Sequence, residues 1–326
     1  MATVTKSRAP SGILVVGSIH HDRFSYVPQL PVPGETVLAF SSMEGVGGKG
    51  ANQAVATSIF GDSVSLVAAI GDDDYGRKSI VELNRAGVST HYVSRHPHER
   101  TGYTSITVDL EGENSVVVHS GANHLLKQSS VELAINNYAA AFSNPIVVLA
   151  QGELPPHILE TVARSCADVG ARFVLNLAPV IPIDDWILEL ADPLIVNLGE
   201  ARQLVQQITP EFDSRGMEFE ELAKVLCRSS ISVVITLGGD GAVVASAGLV
   251  HVQEGFSASL VVDTTGAGDV FVGVLAASLS QENDLKSSVR AGCAAGAIAV
   301  ARAGTIASYP SRDALQELLE TSNDRG

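Results

Sequence analysis

Asp263-Thr-Thr-Gly-Ala-Gly-Asp269 brings two chemistries to one point of the chain. The β-branched piece Leu260-Val-Val262 precedes it, and Phe271, Leu275 and Leu279 follow at the spacing of a buried helix. Gly266, Ala267 and Gly268 therefore fall at a strand-to-helix junction, where backbone N–H groups lack intrahelical partners and attract an anion. Small residues there let a phosphate approach the backbone. Asp269, at the helix entrance, is placed to take a proton from a hydroxyl that attacks phosphorus. The same Asp would also serve as a plain helix cap.

Further polar stretches invite the same kind of reading. In Gly17-Ser-Ile-His-His-Asp22, Asp22 could accept hydrogen bonds from vicinal hydroxyls or simply cap a loop. Gly45-Val-Gly-Gly-Lys-Gly-Ala-Asn52 contains GxGxxG at Gly45, Gly47 and Gly50. A dinucleotide fingerprint needs a buried strand before it, and Ala39–Glu44 is a poor one. Nor is it a Walker loop, because Met43 stands where the first Gly belongs and Gly50 where Ser or Thr should follow Lys49. A Gly-rich turn before a helix remains, with Lys49 and Asn52 on the approach and an Asn amide suited to hydroxyls. Asn197-Leu-Gly-Glu200 puts an amide and a carboxylate on one helix face, either as a polar cap or as oxygen ligands of the kind magnesium takes. Thr236-Leu-Gly-Gly-Asp-Gly241 is a β-turn or a loop whose glycines and hydroxyl admit a phosphate.

The elements that must position these groups are legible as apolar runs. Ile13–Val16, Val64–Ile70, Ile146–Leu149, Arg172–Leu175, Leu194–Val196 and Val233–Leu237 read as buried strands. Between them, Ala51–Phe60, Gly76–Ala86, His157–Val169 and Glu218–Arg228 read as helices. That alternation predicts an α/β fold, a mostly parallel central sheet with helices on both faces. A strand pair over Val250–Leu260 should lead back to the Asp269 junction, and the Ala/Gly-rich segment Leu285–Ala303 reads as the final helix. Thr36–Met43, Thr101–Leu110 and Ser115–His119 break the rhythm as half-exposed antiparallel strands, with Glu111–Asn114 as a hairpin turn. They predict a small projecting sheet, roughly 20–45 and 98–120, that closes over a ligand, pairs with a second copy or is an ordinary surface hairpin. No linker or repeat divides residues 1–326, so a single domain is expected.

Composition narrows the partners. The net charge is −15, without a Lys/Arg stripe, which argues against nucleic acid. Cys166, Cys227 and Cys293 are an odd, widely spaced set that fits no disulfide framework or zinc site, and a reducing compartment is expected. Residues 1–12 lack the apolar core of a secretory signal, though Lys6 and Arg8 without acids leave a weak transit-peptide reading; no apolar run is long enough to span a membrane. A soluble, cytoplasmic protein is the expectation.

Taken together, Gly-Gly-Lys-Gly-Ala-Asn-Gln at 47–53, Gly17–Asp22 and Asp263–Asp269 resemble the ribokinase (phosphofructokinase-B) family of sugar kinases, over roughly 13–309. The resemblance implies ATP-dependent phosphorylation of a pentose, most simply the 5-hydroxyl of ribose. It makes Asp269 the base and the Gly266–Gly268 amides the cradle for phosphoryl charge. It places His20, Asp22, Gly48, Lys49, Asn52, Thr104 and Glu153 around the sugar. Asn176-Leu-Ala-Pro179 is similar to a turn of that family, with Leu177 for its first Pro. Asn197, Thr236, Gly238, Gly239, Gly241, Gly268 and Cys293 would face the nucleotide, with magnesium held through water near Asn197 and Glu200. Leu198 replaces a second Glu there. Asp263, Thr265, Ala303 and Ser308 would hold an activating potassium ion. A homodimer through the projecting sheet is implied as well. His20 and Thr104 depart from the family's usual sugar-facing residues, which keeps 2-deoxyribose, and behind it fructose or a nucleoside, as alternatives. A sugar-binding regulator without catalysis is the reading from a different class.

Overall fold

Apolar runs with no polar face to offer water become strands covered on both sides. The computed structural model describes residues 11–61, 63–142, 144–210, 213–258 and 260–322. Its strands are β1 (Gly12–Val16), β2 (His20–Tyr26), β3 (Ser41–Gly47), β4 (Ser63–Gly71), β5 (Val88–His96), β6 (Gly102–Val108), β7 (Asn114–His119), β8 (Val147–Gln151), β9 (Arg172–Asn176), β10 (Leu194–Asn197), β11 (Ser232–Thr236), β12 (Gly241–Ser246) and β13 (Leu249–Glu254). Its helices are α1 (Lys49–Phe60), α2 (Asp74–Arg85), α3 (Gln128–Ala141), α4 (Pro156–Val169), α5 (Asp185–Glu189), α6 (Leu198–Ile208), α7 (Phe219–Leu226), α8 (Ala267–Ser280), α9 (Leu285–Ala299) and α10 (Arg312–Thr321).

A nine-stranded sheet runs β13-β12-β11-β10-β9-β8-β1-β4-β5. Every pair from β11 to β5 is parallel, and β12 is antiparallel to both neighbours. The period of two along β1 divides the core. Leu14 and Val16 pack with Ile135 of α3, Leu159 of α4 and Leu204 of α6 on one face. Ile13 and Val15 pack with Ala54 of α1, Leu275 of α8 and Ala294 of α9 on the other. A separate four-stranded sheet, β3-β2-β6-β7, is the expected lid.

The parallel strands all deliver their carboxyl ends to one edge, where open α/β sheets bind ligands. Gln151 and Asn176 are register partners there, as are Asn197 and Thr236. Position along the chain is thus converted into a row of polar side chains.

Several local expectations are corrected. Gly17–Asp22 is not all loop, because His20 already begins β2, and the strand expected over Thr36–Met43 lies at Ser41–Gly47. The run expected over Val250–Leu260 is a strand only to Glu254; Ser259 lies outside the described residues. Leu260–Val262 is not a strand, since no neighbouring strand pairs with it; the Val262 and Asp263 amides instead donate to the Val300 carbonyl at 2.7 and 3.2 Å. The helix expected over Leu285–Ala303 stops at Ala299, and α10 follows it. Half-exposed, polar β5 and the helices α3, α5, α6 and α10 carried too weak a pattern to be assigned from sequence. Among the described residues no helix is long and apolar enough to cross a membrane.

Candidate active site

Asp269 lies in the first turn of α8, whose N-cap is Gly266 with a left-handed φ of 77°. Its side chain is nearly buried and is gripped from α1. Asn52 Nδ2 donates to Oδ2 at 3.0 Å and Gln53 Nε2 to Oδ1 at 2.9 Å, while Lys49 Nζ stands 3.7 Å from Oδ1. The grip depends on how near the two helices lie. A Cβ on Gly273 would sit 2.5 Å from Ala56 Cβ and 2.7 Å from the Gln53 carbonyl. Gln53 was quoted above within the Gly-rich stretch but given no role. Its signal was a polar side chain on the buried face of an otherwise apolar helix.

On one side of Asp269 stand the residues expected around a sugar. β2 alternates, so His20 and Asp22 are buried on one face. On its other face His21 stacks on Tyr75 of α2 with ring centroids 3.8 Å apart. Register places Thr104 of β6 beside Asp22. Glu153 Oε2 accepts from the Ser18 hydroxyl and from the Lys49 amide at 2.9 Å, and lies 3.8 Å from His20 Nδ1. Gly48, at φ 86°, turns the chain into α1 just before that amide. Asp22 Oδ1 and Asn52 Oδ1 are buried without a protein partner among the described residues, so both are acceptors open to a hydroxyl.

Electrostatics bind this group together. Burial pushes the Asp22 carboxyl up to about 6; the Thr104 hydroxyl opposes this, and the charges of Glu153 and Asp269 add to it. Burial lowers His20, against the pull of Glu153. Asp269, then Glu153 and Glu200, raise Lys49 against its desolvation. An ionised Asp22 therefore carries a penalty of roughly 3 kcal/mol, present above pH ~6 and gone below the unfolded value near 4. Asp22→Asn is expected to stabilise the free protein against urea at pH 8 and to lose that advantage at pH 4. In the unaltered protein, kcat/KM for the sugar should fall as pH drops through about 6. A pH series of unfolding curves and initial rates checks both.

A cavity of about 460 Å³ begins at the two residues before Asp269, Ala267 and Gly268. Thr236, Gly238, Gly239, Gly241, Gly268 and Cys293 all line it, as the resemblance implied, with Phe256, Val261 and Phe271 as apolar walls. Burial pushes the Cys293 thiol up to about 12, so it is a wall and not a nucleophile. Asn197 faces an adjoining cavity that shares Thr236 and Gly238. Asn197 and Glu200 form a capping box at the start of α6: the Glu200 amide donates to Asn197 Oδ1 at 2.8 Å, and the Asn197 amide to Glu200 Oε2 at 2.7 Å. The plain cap reading thus holds for both. Glu200 still interacts with Lys49 and Asp269, and burial raises its carboxyl.

Among the described residues no group of three or more His, Cys, Asp or Glu side chains could hold a metal. Asp263 ties two loops together, accepting from the Thr265 amide and the Gly304 amide at 2.9 Å each. The buried Ser308 hydroxyl donates to the Thr305 carbonyl at 2.7 Å, and Thr265 and Ala303 are exposed.

A profile described as pfkB family carbohydrate kinase matches residues 11–312. The ribokinase of Haemophilus influenzae is 32% identical over 315 residues, covering 94% of this chain and 98% of its own. The deoxyribokinase of Salmonella typhi is 29% identical over 310 residues, covering 94% and 98%. A structure of Arabidopsis thaliana ribokinase complexed with ribose and ATP superposes with a TM-score of 0.83 at 27% identity, covering 95% of this chain and 99% of that one.

Proposed function

Because the chain belongs to the pfkB family of carbohydrate kinases, and so is a phosphotransferase acting on a sugar hydroxyl, we propose that it transfers the γ-phosphoryl group of ATP to the 5-hydroxyl of D-ribose. The observation that carries this reading is the placement of Asp269, bonded to Asn52 with its open acceptor and directly following Gly268, which lines a glycine-rich cavity. ATP lies in that cavity with its phosphates toward Thr236, Gly238 and the Gly266–Gly268 amides. Asp269 takes the proton of the attacking hydroxyl, and the amides stabilise charge on the moving phosphoryl group. Asp22, Asn52 and Glu153 orient the sugar, and Lys49 balances the carboxylates around it.

Magnesium prefers oxygen ligands and keeps much of its water, which suits one partly free carboxylate, Glu200, with Asn197 behind it. When bound it supplies charge neutralisation at the phosphates. Asp263 and Ser308 offer oxygens to a potassium ion at the loops flanking Gly266, with Thr265 and Ala303 alongside. The lid supports a homodimer: Val116, Val117 and Val118 of β7 are exposed in sequence, and a small sheet with bare valines gains by pairing. Three free cysteines fit the cytoplasm.

A coupled ADP-release assay tests the substrate, with ribose and 2-deoxyribose compared in potassium and in sodium. Ribose is expected to win by roughly 10–100-fold in kcat/KM, because the deoxy sugar leaves one buried acceptor unpaired. His20, buried beside Glu153, and Thr104, beside Asp22, favour the 2-deoxyribose reading instead. A preference for the deoxy sugar that reverts in His20→Asn would establish it.

A further inference from the structure

Behind Asp269, on the side away from the sugar, a chain of buried amides reaches back into the sheet. Gln53 is fully buried, and its Nε2 donates both of its hydrogens, one to Asp269 Oδ1 at 2.9 Å and one to Asn176 Oδ1 at 2.8 Å. Asn176, at the carboxyl end of β9, donates its own Nδ2 to the Ile195 carbonyl of β10 at 3.0 Å. The backbone of β10 therefore fixes which way the Asn176 amide faces, and that amide fixes Gln53. Reversing either amide would set oxygen against oxygen or N–H against N–H. Gln53 Oε1 has no partner among the described residues, so Nε2 alone holds the side chain in place.

We propose that Gln53, held by Asn176, is a positioning residue that fixes the orientation of the Asp269 carboxylate for proton transfer; this rests on the reading of Asp269 as the base. With Gln53 on Oδ1 and Asn52 on Oδ2, each carboxylate oxygen meets an N–H donor. Donors on both oxygens fix the plane of the carboxylate, leaving the remaining lone pairs for the incoming hydroxyl. If Gln53 merely filled space, Met, of similar length and volume, would replace it with little harm to turnover.

Steady-state kinetics of Gln53→Met, Asp269→Asn and the double variant decide the matter. Gln53→Met is expected to lower kcat by about 10–100-fold, the scale of losing a hydrogen bond to a charged group, with KM for ribose and for ATP within about two-fold. In the Asp269→Asn background the same change should alter the residual rate by less than about two-fold, since nothing remains for the amide to hold. Unchanged kcat, a rise in KM alone, or an equal further loss in the Asp269→Asn background would overturn the proposal. Gln53→Glu covers a Met variant that fails to fold: nearly isosteric, it should be slow at high pH, where it repels Asp269, and recover as acid lets it donate. A flat ratio to the unaltered enzyme across pH would sink the idea. Full turnover in Asp269→Asn would instead mark failure of the base assignment, which is a different result.

Discussion

Asp269→Asn is expected to cut kcat by about 10²–10⁴-fold, the range for loss of a general base, while the dissociation constant for ribose changes little. The substitution keeps the size of the side chain. The N-cap of α8 is Gly266, with no side-chain cap bond, so the plain cap reading of Asp269 does not hold and α8 should still begin at Gly266. It removes the negative charge and the proton acceptor together. The contacts it disturbs are all known: Asn52 and Gln53 each lose a charged acceptor, and Lys49 loses its nearest carboxylate. Lys49, raised chiefly by Asp269, should then titrate lower. Calorimetry with ribose, set beside single-turnover rates, separates the two quantities. Wild-type turnover in the variant would place the base elsewhere.

Gly50→Ala should be damaging, and its sign is opposite to the usual one. Within a helix, replacing Gly by Ala ordinarily stabilises by about 1 kcal/mol. Gly50 is in the first turn of α1, but a Cβ there would collide with the Ser18 amide and lie 2.5 Å from the Gly17 carbonyl carbon and 2.6 Å from its Cα. All three are backbone atoms, so no rotamer change relieves the clash. Destabilisation on the order of 3 kcal/mol is expected, with a higher KM for ribose, because Ser18 and Lys49 both hold Glu153. Thermal unfolding and initial rates measure the pair of effects. A variant as stable as the parent would show that β1 and α1 can move apart.

That collision explains why part of the site was legible and part was not. The Gly-rich stretch before α1 was read as a turn with Lys49 and Asn52 on the approach, and both residues do meet Asp269. What composition does not reveal is that Gly50 is small for the sake of Gly17, more than thirty residues earlier. Parallel strands declare themselves because burial on both faces leaves only apolar residues. Their carboxyl ends follow from the α/β rule, which is why Asn197 and Thr236 end neighbouring strands and Glu153 follows β8. Asp22, by contrast, lies within β2 of the separate sheet. β5 escapes because a half-exposed strand mixes polar and apolar residues. Leu260–Val262 shows the converse failure: β-branched residues favour a strand, but no partner strand is present there. Gln53 and Asn176 were on the page from the start, but the bond between them crosses 123 residues and no local pattern encodes it.

β2 has one more consequence, for how the lid can move. Its neighbours in the ladder are β3 on one side and β6 on the other, seven register pairs to each. Along it, side chains alternate between faces: His20 and Asp22 on one, His21 and Arg23 toward Tyr75 on the other. Sliding the strand by a single residue would exchange those two sets and point a guanidinium to the face that holds the Asp22 carboxyl. Sliding is therefore not an available motion. Any movement of this sheet keeps its four strands in register.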